Sequence, residues 1–405
     1  MATVDARLRT YIDRIWQPGG DSPVAVTLGP APSGHVVLEN YAVLPHPRTA
    51  RFLVPMATRA ASVASFRRYA AQRTIVSRSL RRALASGYAA GMLDQLFPHR
   101  LVVSVDRRFR ADRLDEVLIL RHLATQLAIP DLLAFIALRR NNPNAKPVLQ
   151  LLDPAGAGVG YAKLGTTVAT KQLVRTEATA MAAMGGGVES VLVPRLLAAG
   201  DWRDSAYTVG SPLPENLHRA KGAEATTEAM REVARSGVVS RRQLAGSTYA
   251  QRLRADLAAV RGGGEEDATV LAAWLERLER QSALLEFGRM HGDWIPSNLA
   301  WSGPRLAAWD WEHSSDDAPV GFDFLHWHFH RALVDDGLEA AVREVDRVAP
   351  RLALLGVPPT SRPLVASLYL LDAFVRRLKL AVGGGGWNRP WYPTLLGVAS
   401  TRDVD

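Results

Sequence analysis

At 405 residues and 47% hydrophobic content, the chain is long enough for more than one domain and is not a disordered polymer. A formal charge of +9, from 49 basic and 40 acidic side chains, favours anionic partners weakly; no recognisable nucleic-acid motif and no basic run interleaved with aromatics accompanies it, so no nucleic-acid partner is expected. There is no cysteine, hence no disulfide, thiolate nucleophile or thiolate metal site, which fits the cytoplasm; no apolar run reaches the roughly 18 residues that span a bilayer, and no membrane partner is expected.

In chain order, residues 1 to about 128 open with short β-like runs, Pro23 to Leu28, His35 to Leu44 and Arg51 to Val54. An Arg/Ala-rich helical pattern runs from Ala57 to Leu96, followed by a strand Leu101 to Val105 and a helix Leu114 to Leu127. From Pro130 the texture changes to closely spaced strands: LLAFIALR (132–139), the turn-rich RNNPNAK, PVLQLLD (147–153), a small-residue turn, then YAKLG. This reads as an antiparallel meander. The helix of TKQLVRTEATAMAAM (170–184) follows, then strands at 190–200 and 205–210 and a hinge, SPLP. Beyond residue 213 the chain reads as mainly helical, with helices at 227–236, 240–261, 268–287, 324–335, 337–354 and 363–381, and Gly-rich loops GGGE and GGGGW.

Two places carry chemistry. Lysine is scarce, limited to Lys146, Lys163, Lys171, Lys221 and Lys379, yet Lys163 sits inside an apolar strand, where a buried ammonium is costly unless paired. Glu177 lies close to the apolar stripe of the next helix and can supply that partner. The second place is HGDWIPSNLAWSGPRLAAWDWEH (291–313), which reads as a hairpin of Leu299–Trp301 and Leu306–Trp309 about the turn Ser302-Gly303-Pro304-Arg305. Asp293, Asn298 and Asp310 then fall near one end of it. Two acids and an amide oxygen converging there suit a hard divalent cation such as Mg2+.

HGDWIPSN, with DWE twelve residues after its Asn, resembles the HGDxxxxN pattern of the aminoglycoside phosphotransferase and choline kinase family, a branch of the protein-kinase-like fold. The order of strand Lys, helix Glu, hinge, HGD loop and DWE strand end is that family's order, over about residues 130–380. The resemblance implies an α+β, two-lobed protein-kinase-like fold: an antiparallel-sheet N-lobe over 129–212 and a mainly helical C-lobe over 213–405. Residues 1–128 are longer than that family requires; their mixed strand and helix pattern and apolar content predict an N-terminal α/β extension packed on the N-lobe, with a separate domain, a lid or a substrate-recognition element as alternatives. The resemblance also implies that Asp293 is the catalytic base, that Asn298 and Asp310 bind magnesium, that Lys163 binds the phosphates of ATP or GTP, and that Glu177 pairs with it. The nucleotide is then expected between the strands of 130–210 and the helical region. His291 resembles a structural His of the metal-binding segment, and Asp323, in VGFDFLHW, the Asp that braces the catalytic loop.

The chain departs from the kinase pattern in lacking GxGxxG between the first two strands of the meander, where amides, Arg140 or backbone N–H groups would hold the phosphates. Trp294, Trp309, Trp311, Trp327, Trp387 and Trp391 are candidate pocket walls or core residues, His326, His328 and His330 packing or pocket-lining residues, and Glu312, Asp316 and Asp317 candidate receivers of an amine. The expected reaction is phosphoryl transfer from a nucleoside triphosphate to a hydroxyl of an amino sugar, aminoglycoside-like molecule or amino alcohol. A kinase of Ser/Thr peptides, a silent pseudokinase and a metal-dependent hydrolase stand as alternatives; the last is weakened because HGD supplies one His and no second follows at metal spacing.

Overall fold

The computed structural model describes residues 5–70, 98–139, 144–262, 267–384 and 391–402. The expected helical pattern from residue 71 to Leu96, most of RNNPNAK with Arg140, most of GGGE, and residues 385–387 of GGGGW with Trp387 lie outside the described residues. The chain divides into two compact units, one of residues 1–178 and 195–217, the other of 179–194 and 218–405.

The elements up to residue 210 are α1 (Ala6–Ile15), β1 (Val24–Leu28), β2 (His35–Leu44), β3 (Phe52–Pro55), α2 (Arg59–Ala70), β4 (Arg100–Asp106), α3 (Leu114–Val117), α4 (Ile119–Leu127), β5 (Leu133–Ala137), β6 (Val148–Leu152), β7 (Gly158–Gly165), α5 (Val168–Met184), β8 (Val191–Leu192), β9 (Leu196–Trp202) and β10 (Ser205–Gly210). All but β8 among these strands join one nine-stranded sheet, ordered β1-β4-β2-β3-β5-β6-β7-β10-β9. Its ladders are antiparallel throughout. The strands of the first 128 residues therefore continue edge to edge into the meander, through Phe52↔Ala137 and Leu53↔Ile136.

Helices α1 and α4 bury Leu8, Ile15, Ile119 and Leu123 in one core with Val43, Leu53, Val103, Ile136, Leu149, Leu164 and Val209 of the sheet. Each such side chain contributes about 1.5–3 kcal/mol of apolar burial. The helix expected over 114–127 is broken at Leu118, whose extended backbone separates α3 from α4. The strand expected over 190–200 is also two, β8 and β9, because Pro194 between them has no N–H to give a ladder.

The second unit adds β11 (His218–Arg219), α6 (Thr227–Arg235), β12 (Ser240–Gln243), α7 (Thr248–Gly262), α8 (Ala268–Glu279), β13 (Leu284–Met290), β14 (Leu299–Ser302), β15 (Arg305–Ala308), β16 (Ser315–Pro319), α9 (Phe322–Asp336), α10 (Leu338–Val348), α11 (Arg362–Val382) and α12 (Tyr392–Thr401). Two small sheets, β11-β14-β15-β8 and β12-β13-β16, lie among these helices. Two expected helices are corrected here. Residues 240–243 are the strand β12, and the 268–287 helix stops at Glu279, after which β13 begins. The reason is a period of two: Leu285 and Phe287 are buried while Leu284 and Glu286 are exposed, so the segment seats as a half-buried strand against β12 and β16. The helix expected over 337–354 ends at Val348 and continues as a 3-10 turn at Pro350. Among the described residues no helix is long and apolar enough to cross a membrane.

Candidate active site

In the first unit, Lys163 lies on β7 between Val148 of β6 and Thr208 of β10. Interior strand placement buries its stem, and its Nζ donates to Glu177 Oε1 at 2.6 Å, with the two side chains 12% and 5% exposed. The expected ion pair is thus present. Helix α5 is aimed for this meeting by its start, where Thr170 Oγ1 accepts from the backbone N–H of Thr166 and Thr167 at 3.0 and 2.9 Å. Removing one partner of so buried a pair costs about 3–5 kcal/mol, because the other charge is left uncompensated.

In the second unit, the HGD loop begins where β13 ends. Gly292 has φ +80°, and a Cβ there would stand 2.1 Å from the carbonyl oxygen of His313, so only glycine passes. Asp323, in the first turn of α9, accepts the backbone N–H of His291 on Oδ2 and of Gly292 on Oδ1, both at 2.8 Å. The two donors are buried, and a carboxylate taking both satisfies them with charge-assisted bonds. His291 is fully buried, and burial pushes its imidazole pKa down. Its Nδ1 accepts from the Asp293 N–H at 3.1 Å and its Nε2 meets the Trp309 carbonyl at 3.0 Å. Both partners demand the neutral Nε2–H form. The ring therefore ties the loop to the residue before Asp310.

Asp293 itself has a partner on each oxygen. Asn298 Nδ2 donates to Oδ2 at 2.7 Å and also to the Asp293 carbonyl at 3.0 Å. Oδ1 is 3.1 Å from His326 Nε2. Burial raises the carboxyl pKa, but the hydrogen bond from His326 outweighs it, and the group is held well below the usual carboxylate range.

The expected hairpin is present as β14 and β15, with Leu299 opposite Ala308. Trp309 N–H donates to the Asn298 carbonyl at 3.1 Å, so Asn298 and Asp310 stand at the same end of it. Asp310 has φ +65°, a left-handed conformation uncommon for a residue with a side chain, and it re-aims the chain directly after the strand. The donor set fits magnesium. With Nδ2 of Asn298 committed to Asp293, the amide oxygen, which accepts from Ser297 Oγ at 3.3 Å, keeps a second lone pair for a cation. Among the described residues no group of three or more His, Asp or Glu is placed to hold a metal; Asn298 and Asp310 are the residues here that could hold one.

No protein-family profile matches the sequence. No curated protein matches it either. Solved structures do. Aminoglycoside phosphotransferase APH(4)-Ia aligns over 67% of this chain and 99% of its own, at 13% identity and a TM-score of 0.39. A Haemophilus somnus protein named as a fructosamine-3-kinase aligns over 70% and 95%, at 11% identity and a TM-score of 0.41. A glucosamine kinase in complex with glucosamine, ADP and inorganic phosphate aligns over 98% and 96%, at 16% identity and a TM-score of 0.30. All three are named as enzymes that phosphorylate small molecules.

The remaining candidates sort by their contacts. Asp316 is paired with Arg289 at 2.6 Å, and Asp317 with Arg242 and Thr248. Glu312 is partly buried, 3.8 Å from His313 Nε2. Trp294, Trp311 and Trp327 are core residues, the first two fully buried with their indole N–H groups bonded to Thr226 and Ala308. Trp309 and Trp391 are half-buried, and Trp391 packs under the Arg377 guanidinium. The residue that reading by sequence undervalued is His326. Asp323 and His326 are three apart on one helix and share its face, so the expectation that Asp323 braces the loop already placed His326 toward it.

Proposed function

We propose that the chain is a magnesium-dependent phosphotransferase that moves the γ-phosphoryl group of ATP, or GTP, to a hydroxyl of a small molecule of the amino sugar, aminoglycoside or amino alcohol class. The observation that carries the reading is Asn298. Its amide nitrogen is spent on the carbonyl and carboxylate of Asp293, and its oxygen, at the hairpin end beside Asp310, is left as a cation ligand. One side chain thereby fixes a base and opens a metal site, which is what phosphoryl transfer needs, since its catalysis is mostly positioning and charge stabilisation.

In this assignment Asp293 orients the acceptor hydroxyl. The hydroxyl oxygen bonds to the γ-phosphorus as the bond to the β–γ bridging oxygen breaks, and the hydroxyl proton passes to the Asp293 carboxylate. A carboxylate suffices as base, because a loose transition state asks little of a base before the phosphoryl group has departed. Lys163, steadied by Glu177, holds the nucleotide phosphates. Asn298 and Asp310 would hold magnesium, which when bound would neutralise charge on the phosphate oxygens. His291 and Asp323 keep the loop in shape, and Glu312 is the acid we assign to an amine on the acceptor.

The test is release of nucleoside diphosphate in a screen of amino sugars, aminoglycosides, choline-like amines and Ser/Thr peptides, each with and without magnesium. Magnesium-dependent release with one of the small molecules, lost in Asp293→Asn, is the expected result. Release with peptides alone would replace the acceptor class, and an Asp293→Asn enzyme within a few-fold of wild type would remove the base assignment.

A further inference from the structure

We propose that His326, oriented by Tyr369, is the positioning residue that holds Asp293 in its working rotamer. The inference rests on the phosphotransferase reading and deepens it by adding a member to the same site. A carboxylate held through one oxygen can swing about that bond, whereas one held through both cannot. Asn298 holds Oδ2 at 2.7 Å and His326 meets Oδ1 at 3.1 Å, and each oxygen still keeps a lone pair for a substrate hydroxyl.

The other side of the imidazole shows why the histidine is itself held. His326 Nδ1 is 2.9 Å from the Tyr369 hydroxyl. Tyr369 is 1% exposed, and burial pushes its pKa up, so it keeps its proton. A tyrosine O–H donated to Nδ1 leaves the ring proton on Nε2, facing Asp293. The ring of Tyr369 is in turn caged edge-on by Phe322 and Phe329, each 5.7 Å away between centroids. Tyr369 and Arg376 lie seven apart, on one face of α11, and Arg376 Nη1 donates to the Gly292 carbonyl at 2.6 Å. One helix therefore reaches the loop at two points, through His326 to the Asp293 side chain and through Arg376 to the backbone beside it. A histidine kept only for packing would need neither a defined tautomer nor a carboxylate on its Nε2.

Two measurements on the full chain test this. In protein labelled with 15N at histidine, the His326 signals, assigned by their loss in His326→Gln, should report the Nε2–H tautomer at neutral pH, and Tyr369→Phe should shift the Nδ1 resonance, which loses its hydroxyl donor, while the proton stays on Nε2 against the Asp293 carboxylate. A dominant Nδ1–H form overturns the proposal. In parallel, ADP release from magnesium-ATP is followed with glucosamine as the probe acceptor. His326→Leu should lower kcat by about 10- to 100-fold with KM for ATP within about twofold, as for a base misplaced by a fraction of an ångström. His326→Gln, whose amide N–H reaches the same oxygen, should recover to within about fivefold of wild type. Full kcat in His326→Leu overturns the proposal, and if Asp293→Asn is inactive in the same assay the phosphotransferase reading stands. If His326→Leu fails to fold, the Gln variant decides by the same kcat criterion: a Gln enzyme as weak as Asp293→Asn overturns the proposal. If wild type releases no ADP with glucosamine, that acceptor fails and the tautomer decides.

Discussion

Gly292 sets the loop between the two residues that matter most beside it. With φ +80° and the His313 carbonyl 2.1 Å from where a Cβ would go, alanine brings both backbone strain and a clash with atoms that cannot rotate away. Gly292→Ala should cost about 2–4 kcal/mol, from the left-handed penalty and overpacking together, read as a lower denaturant midpoint, and turnover should be lost. Asp293→Asn is gentler, yet not neutral. The carboxylate accepts from Asn298 and faces His326, and an asparagine there must turn one N–H toward one of them, so a loss of about 1–3 kcal/mol should accompany the loss of turnover. Unchanged thermal stability in this variant would contradict the two-sided hold on Asp293. At this scale the spacing HGD, Asn298 and Asp310 was legible because hairpin geometry brings those positions together. Lys163 and Glu177 were legible because a lysine in an apolar strand needs a counter-charge. His326 was not, because its value depends on Tyr369, 43 residues away on another helix.

Among the elements, α4 ends on an alanine where glycine belongs. Ala128 has φ +55° and caps the helix with its N–H on the carbonyls of Ala124 and Thr125, while its methyl is exposed. Ala128→Gly should therefore stabilise the protein by about 0.5–1 kcal/mol, relief of left-handed strain less the added freedom of the unfolded chain, measured by urea unfolding. A decrease would mean that the methyl packs in solution. The strands of the first 210 residues were legible from alternation and turn residues, except for the break at Pro194, and β14 with β15 from the Ser-Gly-Pro-Arg turn. β12 and β13 were not. Their runs, SRRQ and LLEFGRM, carry residues that serve a helix as well, and the choice is made by burial of Leu285 and Phe287 against neighbours far along the chain.

At the scale of the whole molecule, stability should depend on a buried acid in the core of the first unit. Glu39 accepts from Trp16 Nε1 at 3.0 Å and Tyr41 Oη at 2.8 Å, and burial raises its pKa above the ordinary 4.5 despite these bonds and the Arg121 charge. The folded state then binds the proton more tightly than the unfolded one, so this group's contribution is complete below the unfolded pKa and is lost as pH rises through the folded value. Glu39→Gln should raise Tm at neutral pH and leave it nearly unchanged at pH about 4; an equal shift at both would contradict the assignment. Deleting residues 1–128 should give insoluble protein, because it strips β1 to β4 from the sheet, opens the edge of β5 and removes α1 and α4 from the core of Leu149, Leu164 and Val209. A soluble truncated protein with equal turnover would mean that the strands from β5 onward are self-sufficient. The change of texture at Pro130 was visible in sequence, whereas the continuity of the sheet across it was not, since alternation says which face of a strand is buried and nothing about its neighbour.

The seam between β3 and β5 carries two register pairs, whereas β2 and β4 share seven. Few hydrogen bonds across a junction make it a natural line of partial opening, with the ladders on either side each holding together as a cooperative block. Amide protons of the two flanks would then exchange with solvent as two populations, each at its own free energy, and a chain emerging from the ribosome would complete the β1–β4 block before the strands that extend it exist.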